Sequence, residues 1–266
     1  RINQETRNIT EGVFTGFNFI DKMGALTSYK PLLLYGLPRR EIVLVLLNIL
    51  INLAKNYPNK HFLYYTYNEY RIDMELKLIN ALSETAFNSK HNFNNNLEQW
   101  IQEIGSSQLE TLIERVKSSP DHNGLRHFLT ISDRIHIVDS KYGFDDLLDS
   151  IRSFSKVFDL GAVMIDNGEE IRIPEGYTQY QKPKVKSISD NIRKMSLELN
   201  YPFFYGYNAI DDVRKEGFVN LNFVNYSTRI YQVRKEFPNI HLIDTNSNTE
   251  SVYKVDYDLF KVSESD

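Results

Sequence analysis

The sequence predicts an α/β fold with a mainly parallel sheet flanked by helices, antiparallel strands at the C-terminal edge and a helical insertion. Short continuous apolar runs alternate with longer segments of helical periodicity, as in parallel sheets whose strands are buried on both faces. Residues 83–134 carry helical spacing without strand signals. From Thr228 onward apolar and polar residues alternate, which is typical of antiparallel strands with one exposed face.

Five apolar runs predict the strands of the parallel sheet, and the helices lie between them. The strands are predicted at residues 32–35, 62–65, 135–138, 162–166 and 202–205. Helices, identified by apolar residues that recur on one face, are predicted around residues 42–55, 74–79, 147–157 and 186–199. The stretch 83–134 is interpreted as an insertion within one domain that spans residues 1–266.

The composition is that of one globular domain. A chain of 266 residues can enclose one core, and its hydrophobic fraction of 41% and charged fraction of 25% are ordinary. The net charge of −4 argues against a surface that is basic throughout, but it allows a local basic stripe. The absence of cysteine excludes disulfides, thiol nucleophiles and Cys-ligated zinc. With no membrane span and no signal-peptide pattern, we expect a cytoplasmic protein.

Three motifs follow one another in a recognisable order. Thr15-Gly16-Phe17 is followed by Ile20-Asp21, a later strand ends in Asp166, and a helix over residues 187–199 leads into Tyr201-Pro202. In this order the motifs resemble the C-terminal ATPase domain of DnaB-type replicative helicases, within the RecA and KaiC group. They are similar to the T-G-f-x-x-L-D opening, the Walker B strand and the helix-to-strand segment after it. The resemblance implies a RecA-like nucleotide-binding fold for nearly the whole chain outside the insertion.

The segment that aligns with the phosphate-binding loop of that group lacks the residues that the loop needs. Glycine N–H groups wrap the phosphates, a lysine neutralises them, and a Ser/Thr hydroxyl holds magnesium. The alignment puts Arg39 and Glu41 on two of the glycines. Ile42 falls on the lysine and Val43 on the hydroxyl residue. The whole segment reads Gly36, Leu37, Pro38, Arg39, Arg40, Glu41, Ile42 and Val43.

The resemblance implies further nucleotide-contacting positions, and most of them are also replaced. Asn68 stands at the position of the catalytic carboxylate, while the adjacent Glu69 is expected to point elsewhere because side chains alternate along a strand. Asn208 is the nearest match to a polar sensor residue. The K-x-R element, which reaches a neighbouring subunit's nucleotide, aligns with residues 244–246, which end in Asn246 and hold no cation.

Asp166 alone matches the family pattern, and it has two interpretations. It is either a remnant magnesium ligand or a strand-end residue kept for hydrogen bonding. The second is favoured, because a single carboxylate without phosphate binds Mg²⁺ poorly. We therefore predict no catalytic residue, no metal site and no cofactor.

The resemblance also implies contact with single-stranded DNA along the loop after Asp166 and the next helix. Aromatic rings there would stack on bases and cations would contact phosphates. A solvated loop with lysines for solubility is an equal alternative, and Arg39-Arg40 could grip an anion or pair with an acid. The candidate nucleic-acid-binding residues are Tyr177, Tyr180, Lys182, Lys184, Lys186, Arg193 and Lys194.

These observations lead to the hypothesis of a catalytically inactive DnaB/RecA-like protein that acts in binding or assembly, linked to DNA replication or a mobile element. Two alternatives stay open. One is a DnaB-like helicase with unconventional nucleotide contacts, and the other is a protein scaffold without nucleic acid. Single-stranded DNA or replication proteins are the expected partners, and a homo-oligomer or ring is the expected assembly, away from membranes.

Overall fold

The computed structural model describes residues 12–37, 39–82, 123–139, 141–172, 184–209, 228–257 and 260–264. The strands are β1 (Leu32–Gly36), β2 (His61–Thr66), β3 (Ile135–Asp139), β4 (Leu160–Ile165), β5 (Phe203–Asn208), β6 (Arg229–Glu236), β7 (Asn239–Asp244), β8 (Thr249–Asp256) and β9 (Lys261–Glu264). The helices are α1 (Asn18–Asp21), α2 (Arg39–Asn56), α3 (Arg71–Leu82), α4 (Asn123–Leu129), α5 (Phe144–Ser155) and α6 (Lys184–Leu199).

The described strands form one sheet in the order β3-β2-β4-β5-β1-β6-β7-β8-β9. The pairings from β3 to β6 are all parallel, and those from β6 to β9 are antiparallel. The predicted fold class is confirmed. The predicted antiparallel strands of the C-terminal part are confirmed as β6 to β9, and β6 also lies parallel to β1 on its other side. Apolar-polar alternation indicates a half-exposed strand and not its direction, so this second, parallel pairing could not be predicted from the pattern.

Helices cover both faces of the sheet, and the sheet separates two hydrophobic cores. Neighbouring residues of β2 show the division, since Tyr64 packs in the core that contains α2 and α3, and Tyr65 in the core of α5 and α6. Successive side chains of a strand point to opposite faces. Strands β1, β4 and most of β2 are buried along their length, as their continuous apolar runs predicted.

Asp21 holds the Thr15-Gly16-Phe17 motif in place through hydrogen bonds. The Asp21 carboxylate accepts hydrogen bonds from the Thr15 N–H, the Thr15 hydroxyl and the Gly16 N–H, each at 2.8 Å. Gly16 has φ +78° and lies against Asn52 of α2, where a Cβ would clash. Each motif residue therefore has a structural role.

Arg229, the first residue of β6, holds residues 23–25, which follow α1. Its guanidinium donates to the carbonyls of Met23 (2.8 Å), Gly24 (2.7 Å) and Ala25 (3.1 Å), and only 7% of the residue is exposed. Carbonyl oxygens satisfy the two terminal nitrogens of this buried guanidinium, while its Nε has no hydrogen-bond partner among the described residues.

The predicted insertion at residues 83–134 lies mostly outside the described residues. Its described end contains α4 and a 3-10 turn, Ser132–Arg134, that leads into β3. None of the described helices has both the length and the apolar character that a membrane crossing requires.

Candidate functional site

One end of the sheet is formed by the carboxyl ends of the parallel strands, and we call it the site edge. The strands that end there include β1, β2, β4, β5 and β6. The parallel registers bring Gly36 beside Asn208, and Ile165, the residue before Asp166, beside both Tyr65 and Tyr205. In open α/β sheets, ligands bind at this edge. The structure thus brings together most of the positions that the sequence assigned to a nucleotide site.

The connection between β1 and α2 is short. β1 ends at Gly36 and α2 begins at Arg39, so two residues separate them, of which Pro38 lies outside the described residues. The helix was predicted from residue 42 and starts three residues earlier. Arg and Glu are good helix formers, unlike the glycines to which Arg39 and Glu41 correspond. The segment aligned with a phosphate-wrapping loop is therefore largely the first turn of a helix.

The residues aligned with the lysine and the hydroxyl face the core. Ile42 is 2% exposed and Val43 is 4% exposed. A Cβ added to Gly206 of β5 would come within 2.7 Å of Ile42 Cγ2, so the Ile42 side chain already lies against that strand. Close packing of this kind leaves no room for a phosphate beside Ile42.

Polar side chains at the site edge bind one another. Arg39 donates from Nε to the Asn167 side-chain oxygen. The Asn208 N–H donates to a Glu169 carboxylate oxygen at 3.0 Å, and the Asn208 amide donates to the Leu37 carbonyl at 3.3 Å. Burial raises the pKa of Glu169 to about 7, although the Asn208 N–H and Arg39 oppose the shift. Asn208, the predicted sensor position, thus helps to hold the β1–α2 connection in place.

Asp166 is fully buried and its carboxylate is satisfied within the chain. The Tyr67 N–H donates to Oδ1 at 3.0 Å, the Asn167 amide donates to Oδ1 at 2.8 Å, and the Tyr64 hydroxyl lies 3.4 Å from Oδ2. Burial raises the pKa of Asp166 to about 6, and the bonds from Tyr67, Asn167 and Thr66 oppose that shift. This geometry favours the hydrogen-bonding interpretation of Asp166 over the magnesium-ligand one.

Glu41 turns the other way, toward the C-terminal strands. Its carboxylate is 2% exposed, lies 2.6 Å from the Lys235 ammonium and accepts a hydrogen bond from the Tyr257 hydroxyl at 3.0 Å. The Arg40 guanidinium lies 5.0 Å from the centre of the Tyr257 ring and 5.5 Å from that of Phe260. Arg39 and Arg40 therefore engage an amide and aromatic rings, and the acid at this position is paired with Lys235.

The position of the catalytic carboxylate is open to solvent. Asn68 is exposed, and the adjacent Glu69 forms an ion pair with Lys77 of α3. The expectation that Glu69 points away from the attacking-water position agrees with this pairing.

Asn246, which aligns with an element that reaches a neighbouring subunit's nucleotide, lies away from the site edge of its own chain. β7 runs antiparallel to β6, so its last residue, Asp244, lies opposite Tyr231 near the start of β6. The Thr245 N–H then donates to the Ile230 carbonyl at 3.2 Å. Asn246 follows in the β7–β8 turn, at the sheet edge opposite to the site edge.

The cations that do reach the site edge on this part of the chain are Arg234 and Lys235 of β6. Sequence analysis missed them, because the order of the motifs does not tell which residues of the β6–β7 hairpin lie at the site edge. Their place in the sequence was the available signal. Arg234 and Lys235 come at the end of β6, just before the Phe237-Pro238 turn, and β6 runs parallel to β1, so its last residues lie at the site edge. Arg234 pairs with Glu250 at 2.9 Å.

The candidate nucleic-acid-binding residues divide between two regions. Tyr177, Tyr180 and Lys182 lie outside the described residues. Lys184, Lys186, Arg193 and Lys194 all lie on α6, which starts two residues earlier than predicted. Lys186 and Arg193 are seven residues apart and so share a face, whereas Lys184 donates to the Glu169 carbonyl and Lys194 is exposed. Within the described chain, no group of three or more His, Asp or Glu could hold a metal ion.

Comparison with known proteins identifies the fold. No protein-family model matches the chain, and no curated protein matches it by sequence. Among solved structures, one described as an ATPase domain superposes with a TM-score of 0.68 at 14% identity, over 98% of this chain and 94% of that one. A DnaB-like replicative helicase, described with its interactions with primase, gives 0.69 at 14% identity over all of this chain and 64% of that one. The predicted DnaB-type RecA-like fold is confirmed at this level.

Proposed function

We propose that this chain is a RecA-fold protein that does not hydrolyse nucleotide and acts in binding or assembly. The observation that carries the proposal is the start of α2 at Arg39, because it replaces a phosphate-wrapping loop with a helical turn. Within the chain, Arg39 donates from Nε to Asn167 and Glu41 pairs with Lys235, while the buried Nη2 of Arg39 has no hydrogen-bond partner among the described residues. Ile42, at the lysine position, is buried against β5.

Electrostatics supports the same proposal. Phosphate transfer needs cations and a metal ion aimed at the transferred group. At the site edge Lys235 is neutralised by Glu41, and the Asp166 carboxylate is enclosed by protein donors. An ATP molecule would have to displace these contacts and lose the hydration of its own charges.

Calorimetric titration with Mg²⁺-ATP tests the proposal. We expect no saturable binding below millimolar nucleotide and no phosphate release above the rate of buffer. Micromolar binding would contradict the proposal and favour the alternative of a DnaB-like ATPase with unconventional contacts. If heat is seen, Arg39→Gln against Arg152→Gln shows whether it arises at the site edge, since Arg152 lies on α5 and pairs with Glu198.

The proposed setting is DNA replication or a mobile element, with single-stranded DNA or a replication protein as partner. The support is the fold shared with a DnaB-like replicative helicase, which is described with primase, and the cations of α6. Rings are proposed on the same ground. Light scattering tests the assembly, and anisotropy with single-stranded oligonucleotides at low salt tests the ligand. A monomer without oligonucleotide affinity would favour the scaffold alternative.

A further inference from the structure

A groove runs along α2 on the face opposite to α6, between that helix and the C-terminal strands. It has a volume of about 730 Å³, and residues of α2, the β6–β7 turn, β8 and β9 line it. We call it the lysine groove and define it by Asn52, Lys55, Phe237, Lys254, Tyr257 and Lys261.

The lysine groove is basic although the chain is acidic overall. Lys55 and Lys254 are exposed, and neither has an ion-pair partner among the described residues. Lys261 and Asp256 face each other across the β8–β9 ladder, so their charges offset. At least two positive charges therefore remain beside the groove in a chain whose formal net charge is −4. A polyanionic ligand complements this charge distribution.

One wall of the lysine groove is aromatic. Phe237 is 77% exposed, and its ring is stacked on that of Tyr257 with centroids 5.7 Å apart and an interplanar angle of 17°. Lys235 and Arg40 lie over the Tyr257 ring at 4.9 and 5.0 Å, so cations support that side of the stack. Solvent reaches the outer face of Phe237, which is free to stack on another flat ring.

We propose that the lysine groove binds single-stranded nucleic acid, with a base stacked on Phe237 and phosphates beside Lys55 and Lys254. An exposed ring next to lysines is the combination that sequence-tolerant single-strand binding uses. An acidic peptide would satisfy the lysines but would not use the face of Phe237, and a duplex hides the faces of its bases. The proposal rests on single-stranded DNA as the proposed partner and assigns to it a surface that is separate from α6 and does not depend on nucleotide hydrolysis.

Fluorescence anisotropy of a labelled oligothymidylate at several salt concentrations tests the groove. Phe237→Ala is expected to weaken binding about thirtyfold, the middle of the range for losing one stacked base. The double variant Lys55→Gln/Lys254→Gln is expected to lower the slope of log affinity against log salt by about 1.4, at about 0.7 per phosphate contact on a single strand. Tyr70→Ala, an equally exposed aromatic, and Lys22→Gln/Lys156→Gln are the matched controls and should leave affinity and slope unchanged.

Several outcomes would overturn the proposal. They are no binding of oligothymidylate at low salt, groove variants that match their controls, or a duplex that competes as well as the single strand. Displacement by a polyglutamate peptide that binds more tightly would assign the groove to an acidic protein instead. Lys186→Gln/Arg193→Gln separates the two proposals, because loss in that variant alone supports the α6 surface and rejects the groove.

Discussion

The ammonium of Lys235 lies 2.6 Å from the carboxylate of Glu41 and joins the first turn of α2 to the end of β6. The Glu41 side chain is buried, whereas the Lys235 side chain is 42% exposed. Loss of the ion pair would therefore leave the charge of Glu41 without compensation, while water would still hydrate Lys235. The Tyr257 hydroxyl supplies a second hydrogen bond to the same carboxylate.

Removing Lys235 is therefore expected to destabilise the chain more than a surface ion pair would. Lys235→Met leaves Glu41 buried with Tyr257 alone, and we expect a loss of about 1–3 kcal/mol in the free energy of unfolding, reduced from the fully buried case by solvent. Adding Glu41→Gln should recover part of that loss. Urea unfolding of both single variants and the double variant measures the coupling, and strictly additive losses would contradict the prediction.

Gly206 is expected to tolerate no side chain. Gly206→Ala puts a methyl group 2.7 Å from Ile42 Cγ2, so we expect a destabilisation of about 1–3 kcal/mol from overpacking. Ile42→Ala removes the opposing methyl and leaves space there. Thermal unfolding of the double variant should show a smaller loss than the sum of the two single losses, and a harmless Gly206→Ala would show that Ile42 moves aside.

The buried carboxyl of Glu169 gives stability a measurable pH dependence. Its raised pKa means that the folded chain holds this proton more tightly than the unfolded chain does. The contribution to stability is complete below about pH 4.5 and is lost as pH rises through about 7. Glu169→Gln should therefore gain on the order of 2 kcal/mol relative to wild type between about pH 4.5 and about pH 8. Urea unfolding at both values measures it, with the exposed Glu170→Gln as control; a constant difference would contradict the prediction.

Arg229 should be irreplaceable even by lysine. Its planar guanidinium donates to three carbonyls from two terminal nitrogens held in a fixed fork, whereas the three donors of a lysine ammonium all radiate from one nitrogen. Arg229→Met leaves those carbonyls without their donor, and we expect a loss of about 2–4 kcal/mol. Arg229→Lys should recover less than half of it. Hydrogen exchange at residues 23–26 provides a local readout, and unchanged protection there would argue that the arginine does not hold this segment.

The sequence was sufficient for the strands of the parallel sheet, since runs such as residues 32–35 and 162–165 are apolar throughout and admit few other interpretations. It was insufficient for the parallel pairing of β6 with β1, because alternation does not encode strand direction. It also placed the start of α2 too late. The alignment of Arg39 and Glu41 with loop glycines suggested a loop, whereas tertiary partners such as Lys235 and Asn167 stabilise a helical turn there.

Only part of the candidate site could be predicted from the sequence. Residues that follow parallel strands, such as Asp166 and Asn208, were located correctly because every such strand ends at the same edge. Asn246 aligns with an element that acts on a neighbouring subunit, and its position at the opposite end of the sheet cannot be read from motif order. The partners of Glu41 lie far away in sequence, so no local pattern indicated them.

The two-residue connection between β1 and α2 also limits how this chain can change over evolutionary time. A loop that wraps a phosphate would require the first turn of α2 to unwind, and that would separate Glu41 from Lys235 and Arg39 from Asn167. Substituting Ile42 by lysine alone would bury an unpaired charge beside Gly206. Each of these changes therefore lowers the stability of the fold, and selection for a folded protein opposes them.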